Sequence, residues 1–248
     1  MTQASIRATF SSSRLIRALS ELAVANTEVA EQQFAAKLGL LFDFSDALNL
    51  SAALKPQPFT GTESASAALN KAAEEYARVK NALSQSIRSS FTDSASARFK
   101  LPVMESLDFS NLSNSFEPYL RFYAAHQRDM DLTTRHLRAT LRDRFAETSA
   151  AMKQLTTLDA ALDDILAEKA RKLFAGVPKL LEKRFIQLFQ SEKNSASSNG
   201  SDSETNQPVQ WLSRFHQDMQ MVLLAELDVR LEPALGLLEA VNKEVAGN

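Results

Sequence analysis

Apolar positions recur in steps of three and four along most of this chain, the spacing of one face of an α-helix. Near the N terminus, Ser11, Ser12 and Ser13 can cap a helix carrying Leu15, Leu19, Leu22 and Ala23. A second start at Asn26 and Thr27 leads into Val29, Ala30, Phe34, Leu38, Leu41 and Phe42. A turn over residues 43–46 then feeds Ala47, Leu48, Leu50 and Leu54. Pro56 and Pro58 remove donors and push their neighbours extended, so residues 1–58 read as a unit of two or three short helices.

Residues 63–99 contain neither Gly nor Pro, and Thr60 with Glu63 resembles a capping box. The pattern predicts one long helix there. Its face of Leu69, Ala72, Ala73, Tyr76, Val79, Ala82, Leu83 and Ile87 is weakly apolar, so it needs a partner. Leu101-Pro102 stops it, and the stretch to Phe116 reads as a connection. Pro118 then opens a helix with no obvious break before Gly176 and Pro178. A helix over residues 118–175 would be a rod of about 85–90 Å at 1.5 Å per residue. Its apolar positions, from Leu120 and Tyr123 through Leu137, Phe145 and Leu158 to Leu173, mix steps of three, four and seven, as a coiled-coil-like seam does. Gln127, Thr134 and Thr148 interrupt that seam.

A basic amphipathic segment follows Pro178, completing a long-helix bundle over residues 59–190. Residues 191–208 are Ser-rich and almost without apolar side chains, and read as a disordered linker. The last helix spans about 209–244, with Trp211, Phe215, Met219, Leu223, Leu227, Leu231 and Leu238 on one broad face and a kink expected at Pro233. It forms the C-terminal element, residues 209–248, packing on the bundle.

Composition agrees with this reading. The 248 residues include 36 Ala and 34 Leu against 10 Val and 5 Ile, with only 6 Gly, which favours helix over strand. The predicted fold is an all-α, elongated helical bundle. Without cysteine there is no disulfide framework, thiolate metal site or cysteine nucleophile. Lys plus Arg number 28 against 30 Asp plus Glu, a formal charge of −2, so no global field draws the chain to nucleic acid or lipid. The N terminus lacks the apolar core of a secretory signal and the apolar runs are short, which makes the expected location cytoplasmic.

Reactive chemistry finds little footing. No nucleophile elbow, phosphate-binding glycine loop or paired-histidine zinc motif occurs. His126, with Tyr123 three before and Asp129 three after, sketches an acid–base or metal cluster on one helical face. No Glu precedes any of His126, His136 or His216 by three, as di-metal bundles require, so ordinary surface or boundary histidines are the expectation. Asp159 and Asp163 likewise read as a solvated acidic face. No catalytic residue, metal or cofactor is expected.

The most ordered charged feature is Arg121, Arg128, Arg135 and Arg142, spaced by seven, with Arg138 nearby. On a heptad frame these share one outward position, a stripe that could meet an anionic partner. Asp131, four residues before Arg135, supports instead a paired, solvated face. A second basic cluster includes Lys179, Lys183 and Arg184 beside apolar residues and outlines a membrane-surface segment. Trp211, the single tryptophan, could be a protein-interface anchor or a core residue.

Four stretches carry a family resemblance: Ser-Arg-Leu-Ile-Arg-Ala-Leu-Ser-Glu-Leu-Ala at 13–23, Phe-Ala-Ala-Lys-Leu-Gly at 34–39, Asp-Ala-Leu-Asn-Leu-Ser-Ala-Ala-Leu at 46–54, and Leu-Glu-Pro-Ala-Leu-Gly-Leu-Leu-Glu-Ala at 231–240. Together they resemble the proteobacterial family Domain of Unknown Function 3348 over nearly the whole chain. The resemblance implies a cytoplasmic bacterial protein whose relatives are encoded near proton-channel-type inner-membrane proteins and envelope proteins. It transfers no catalytic residue. The expected function is a non-enzymatic helical interaction or scaffold protein, acting on a protein partner or on itself. The alternative is a crescent-like helical dimer at a membrane surface; nucleic acid is disfavoured.

Overall fold

The broad apolar face of the C-terminal segment organises the molecule. The computed structural model describes residues 14–21, 44–55, 58–61, 63–92, 97–102, 112–198 and 207–247. The described residues form seven helices and no strand: α1 (Arg14–Glu21), α2 (Phe44–Ala53), α3 (Ala65–Ser89), α4 (Leu112–Ala146), α5 (Ala150–Phe174), α6 (Val177–Ser198) and α7 (Gln207–Gly247). The all-α class follows the sequence pattern. Expectations for residues 11–13, 22–43, 103–111 and 199–206, including the helix after Thr27, lie outside the described residues.

Helix α7 packs against α1, α3, α4 and α6. Its Phe215, Met219, Val222, Leu223 and Val241 are fully buried, as the periodicity requires. The weakly apolar α3 finds the partner it needs there: buried Ala68 and Ala72 let the two backbones approach, and Val79, Leu83 and Ile87 fill the seam. At the other flank, Phe116, Tyr119, Phe185, Trp211 and Phe215 interlock at the junction of α4, α6 and α7.

The rod expected over residues 118–175 is broken at its middle. Thr148 Oγ1 donates to the carbonyl of Phe145 at 2.8 Å, closing α4. Ser149 is extended, and its Oγ accepts from the Met152 amide at 3.1 Å, capping α5. A Thr-Ser pair thus ends one helix and starts the next, because each hydroxyl satisfies backbone groups that a continuous helix would pair itself. Helix α5 turns back along α4 to form a hairpin, and α7, at 41 residues, is the longest described helix. Nor does α4 meet one partner along a coiled-coil seam: its apolar face is shared among α3, α5, α6 and α7.

Other boundaries also differ. Helix α3 starts at Ala65 and ends at Ser89, where the hydroxyls of Ser89 and Ser90 both donate to the Ser86 carbonyl and substitute for further helical bonds. Helix α4 begins at Leu112, six residues before Pro118, which forgoes the bond to the Asn114 carbonyl. The expected disordered linker is helical at both ends, since α6 runs to Ser198 and α7 begins at Gln207.

The hairpin elbow is covered by residues 58–61. Lys153 Nζ donates to the Pro58 carbonyl at 2.7 Å. Gly61 lies so close that a Cβ there would collide with the Glu147 carbonyl, so only glycine fits.

Candidate functional site

Where α4, α7 and the end of α5 converge, a polar network is sealed inside the bundle. Glu226 is fully buried on α7. Its Oε1 accepts from Arg230 Nε at 2.8 Å and Arg230 Nη2 at 2.7 Å, and its Oε2 accepts from the Tyr123 hydroxyl at 2.8 Å. Gln127 Nε2 donates to this carboxylate at 3.0 Å and to the Phe174 carbonyl at 3.0 Å, tying α4 to the last turn of α5. The Arg230 guanidinium also lies 4.0 Å from the centre of the Phe174 ring and reaches Asp131 at 3.3 Å. Burial, and then the adjacent Glu226 charge, hold the Tyr123 phenol well above its ordinary pKa, so it stays a donor.

Outside this network lies a cleft of about 500 Å³. Leu120, Ala124, Phe174 and Ala175 supply its apolar lining, and Arg121, Arg128 and Arg171 stand exposed around it. Its two carboxylates are already engaged: Glu117 accepts from Arg121 at 2.9 Å, and Asp131 accepts from Arg135 and Arg230. Neither Arg128 nor Arg171 forms an ion pair with a described residue. Leu132, 69% exposed, lies one turn after Arg128 on the same face of α4, whereas Leu173, 71% exposed, points away from the face that Arg171 and Ala175 share at the end of α5. The arrangement offers fixed cations over an apolar bed. It places no nucleophile beside a base, and no group of three metal-ligating side chains occurs among the described residues.

The basic residues singled out by sequence divide sharply. Arg121, Arg128 and Arg135 do face outward, but Arg142 does not share their position. It joins Arg138 in clamping Asp159 and Asp163 across the α4–α5 hairpin, with bonds from 2.6 to 3.2 Å. The cause is geometric: a straight helix drifts by about 20° per seven residues, so three heptads carry Arg142 round toward α5. The same pairing removes the acidic face expected at Asp159 and Asp163 from solvent. Arg184 is buried and donates to Asp218 on α7 at 2.8 Å, so it is not a contact for an external anion. Lys179 and Lys183 remain exposed on α6. Trp211 is core rather than an interface anchor: it is 4% exposed and sits edge-on against Phe185 and Phe189.

The histidine cluster does not assemble. His126 is buried between Phe99 and Phe122, whose ring centres lie 4.5 and 4.8 Å away, and its Nε2 has no hydrogen-bond partner among the described residues. Tyr123 is committed to Glu226, and Asp129 accepts from Arg98 at 2.6 Å. Burial, reinforced by Arg98, lowers the His126 pKa from 6.5 to about 4. The unfolded chain therefore takes up this proton first, and stability present above pH 6.5 is lost as pH falls toward 4. The loss attributable to His126 is about 3 kcal/mol at 1.36 kcal/mol per unit. Urea unfolding across this window should show the His126→Leu variant losing less stability than the parent. His216, whose Nε2 lies 3.1 Å from the Tyr119 hydroxyl, is also lowered to about 4 by burial and adds an effect of the same sign.

Sequence reasoning missed Glu226 and Arg230. A detectable signal existed: a lone acid within the apolar run Met221–Leu227, followed four residues later by an arginine, is the spacing of an intrahelical ion pair. Gln127 was visible as an interruption of the α4 face, but its partner could not be named from spacing.

Among the described residues, no helix is long and apolar enough to cross a membrane. No curated protein and no solved structure matches this chain. The family model described as Protein of unknown function (DUF3348) matches residues 1–243, and the chain, helical in every described element, belongs to that family.

Proposed function

We propose that this chain is a non-enzymatic interaction protein that engages a protein partner, or a second copy of itself, through helical faces, and that the arginine-lined cleft is the face it uses. The observation that carries this reading is the contrast in polar satisfaction. Inside, the Glu226 carboxylate has Arg230, Tyr123 and Gln127 as donors. Outside, Arg128 and Arg171 flank an apolar lining with no carboxylate of the described residues paired to them. Arginine beside apolar surface is the composition that anchors protein interfaces, since the guanidinium stacks, forks and desolvates more readily than an ammonium. Exposed Leu132, on the Arg128 face of α4, favours the same use.

A bacterial cytoplasmic protein serving an envelope complex is the setting this reading adopts. The membrane-surface alternative has less to work with, because Arg138, Arg142 and Arg184 are spent on internal ion pairs.

Co-purification from the native host tests the proposal. A specific protein should accompany the parent chain, be retained by Arg214→Glu, an exposed arginine outside the cleft, and be lost from Arg128→Glu/Arg171→Glu. An identical retinue for all three chains would contradict it.

A further inference from the structure

We infer that the occupant of the cleft is a second copy of this chain, entering with the outer face of α7. This rests on the cleft being the working surface and goes further by naming what fills it.

On α7, Ala234, Leu237, Leu238 and Val241 turn into the core. Glu232, Leu235, Gly236 and Glu239 lie on the other side and are exposed. Leu235 follows Glu232 by three residues and precedes Glu239 by four, so all three share one face. Gly236 contributes no side chain, and a Cβ there would meet nothing within 4 Å. The result is an apolar knob, Leu235, 39% exposed, with a carboxylate one turn to either side, about 10 Å apart at 1.5 Å per residue.

Neither Glu232 nor Glu239 forms an ion pair with a described residue. Although exposed, Glu232 is partly desolvated where it leaves the helix, and this, followed by the charge of Asp228 one turn before it, raises its pKa. Asp228 itself is held by Arg14 at 2.7 Å and Lys80 at 3.7 Å, which face this end of the ridge from α1 and α3. A guanidinium arriving from outside would relieve Glu232.

The cleft is the mirror of this ridge in charge. Arg128 and Arg171 line it together with apolar Leu120 and Phe174, cations with an apolar bed against the ridge's carboxylates with an apolar knob. A polyphosphate fits less well, because the lining is apolar and includes Glu117 and Asp131. Ridge and cleft occupy different sides of α7, Arg230 reaching the cleft and Leu235 pointing away from the core. The contact is therefore heterologous, head to tail, and builds rings or open chains rather than a closed two-fold dimer.

Sedimentation velocity of the full chain, from low to high micromolar concentration, tests this. The parent should rise to at least twice its 27.4 kDa and fall back in high salt. Arg128→Glu/Arg171→Glu and Glu232→Arg/Glu239→Arg should each remain monomeric, and an equimolar mixture of the two should associate again, because the reversed cleft accepts the reversed ridge. A monomeric parent at high micromolar concentration, association indifferent to salt or to either reversal, or a mixture that stays monomeric would overturn the inference. A monomeric parent whose host partner is still lost on cleft reversal would leave the interaction reading standing and remove this one alone.

Discussion

Arg230→Met is expected to lower stability by about 3–5 kcal/mol, read as a shift of the chemical unfolding midpoint at neutral pH. Glu226 is fully buried and takes two hydrogen bonds from Arg230, at 2.8 and 2.7 Å. Removing the guanidinium leaves that carboxylate without its counter-charge, where water cannot reach it. The remaining donors, Tyr123 and Gln127, are neutral and do not compensate the charge. The double variant Glu226→Leu/Arg230→Met should recover part of the loss, since a buried ion pair replaced whole by apolar side chains is often close to neutral. Recovery stays incomplete because the buried Tyr123 hydroxyl then lacks its acceptor, at a cost of about 1–3 kcal/mol. A double variant no better than Arg230→Met would show that the network's value is not one of charge compensation.

Phe185→Ala should cost a similar amount, about 3–5 kcal/mol. Phe185 is fully buried, and its ring centre lies 5.8 Å from Phe116, 5.6 Å from Tyr119, 5.2 Å from Trp211 and 5.1 Å from Phe215. Deleting it opens a cavity among rings that cannot all collapse inward, because Tyr119 and Phe215 are held on two different helices. Trp211 is the single tryptophan and one of the neighbours, so its emission reports the change directly. Leu173→Ala, at a residue 71% exposed, should stay within about 0.5 kcal/mol of the parent. Equal losses at the two positions would contradict the burial assigned to them.

Much of the fold was legible because it depends on period. The spacing from Phe215 to Val241 needed only one buried stripe to specify α7, and the alanine-rich face of α3 correctly implied a partner. The elbow at residues 147–149 was not legible. Thr148 and Ser149 break a helix only when their hydroxyls bond to the backbone, and the same residues are tolerated inside helices facing solvent. Its consequences spread through the charged residues. Once α5 turned back along α4, Asp159 and Asp163 met Arg138 and Arg142, a pairing across more than seventeen intervening positions for most of its bonds that no local rule anticipates. Arg121 and Arg128 were readable as outward, because their distance along the helix is one heptad and the drift is small. Arg171 entered the site only through the hairpin, which brings the end of α5 beside the first half of α4. The buried Glu226 network shows the same limit: its intrahelical pair is a local pattern, whereas Tyr123 and Gln127 lie about a hundred residues away in sequence.

In-cell photocrosslinking tests most directly whether the cleft is the working surface. A photoreactive side chain at Leu120, in the apolar lining of the cleft, should give a discrete protein adduct, either a second copy of the chain or another protein. The same group at Asp143, exposed near the far end of α4, should give none. No adduct at Leu120, or equal adducts at both positions, would contradict the account.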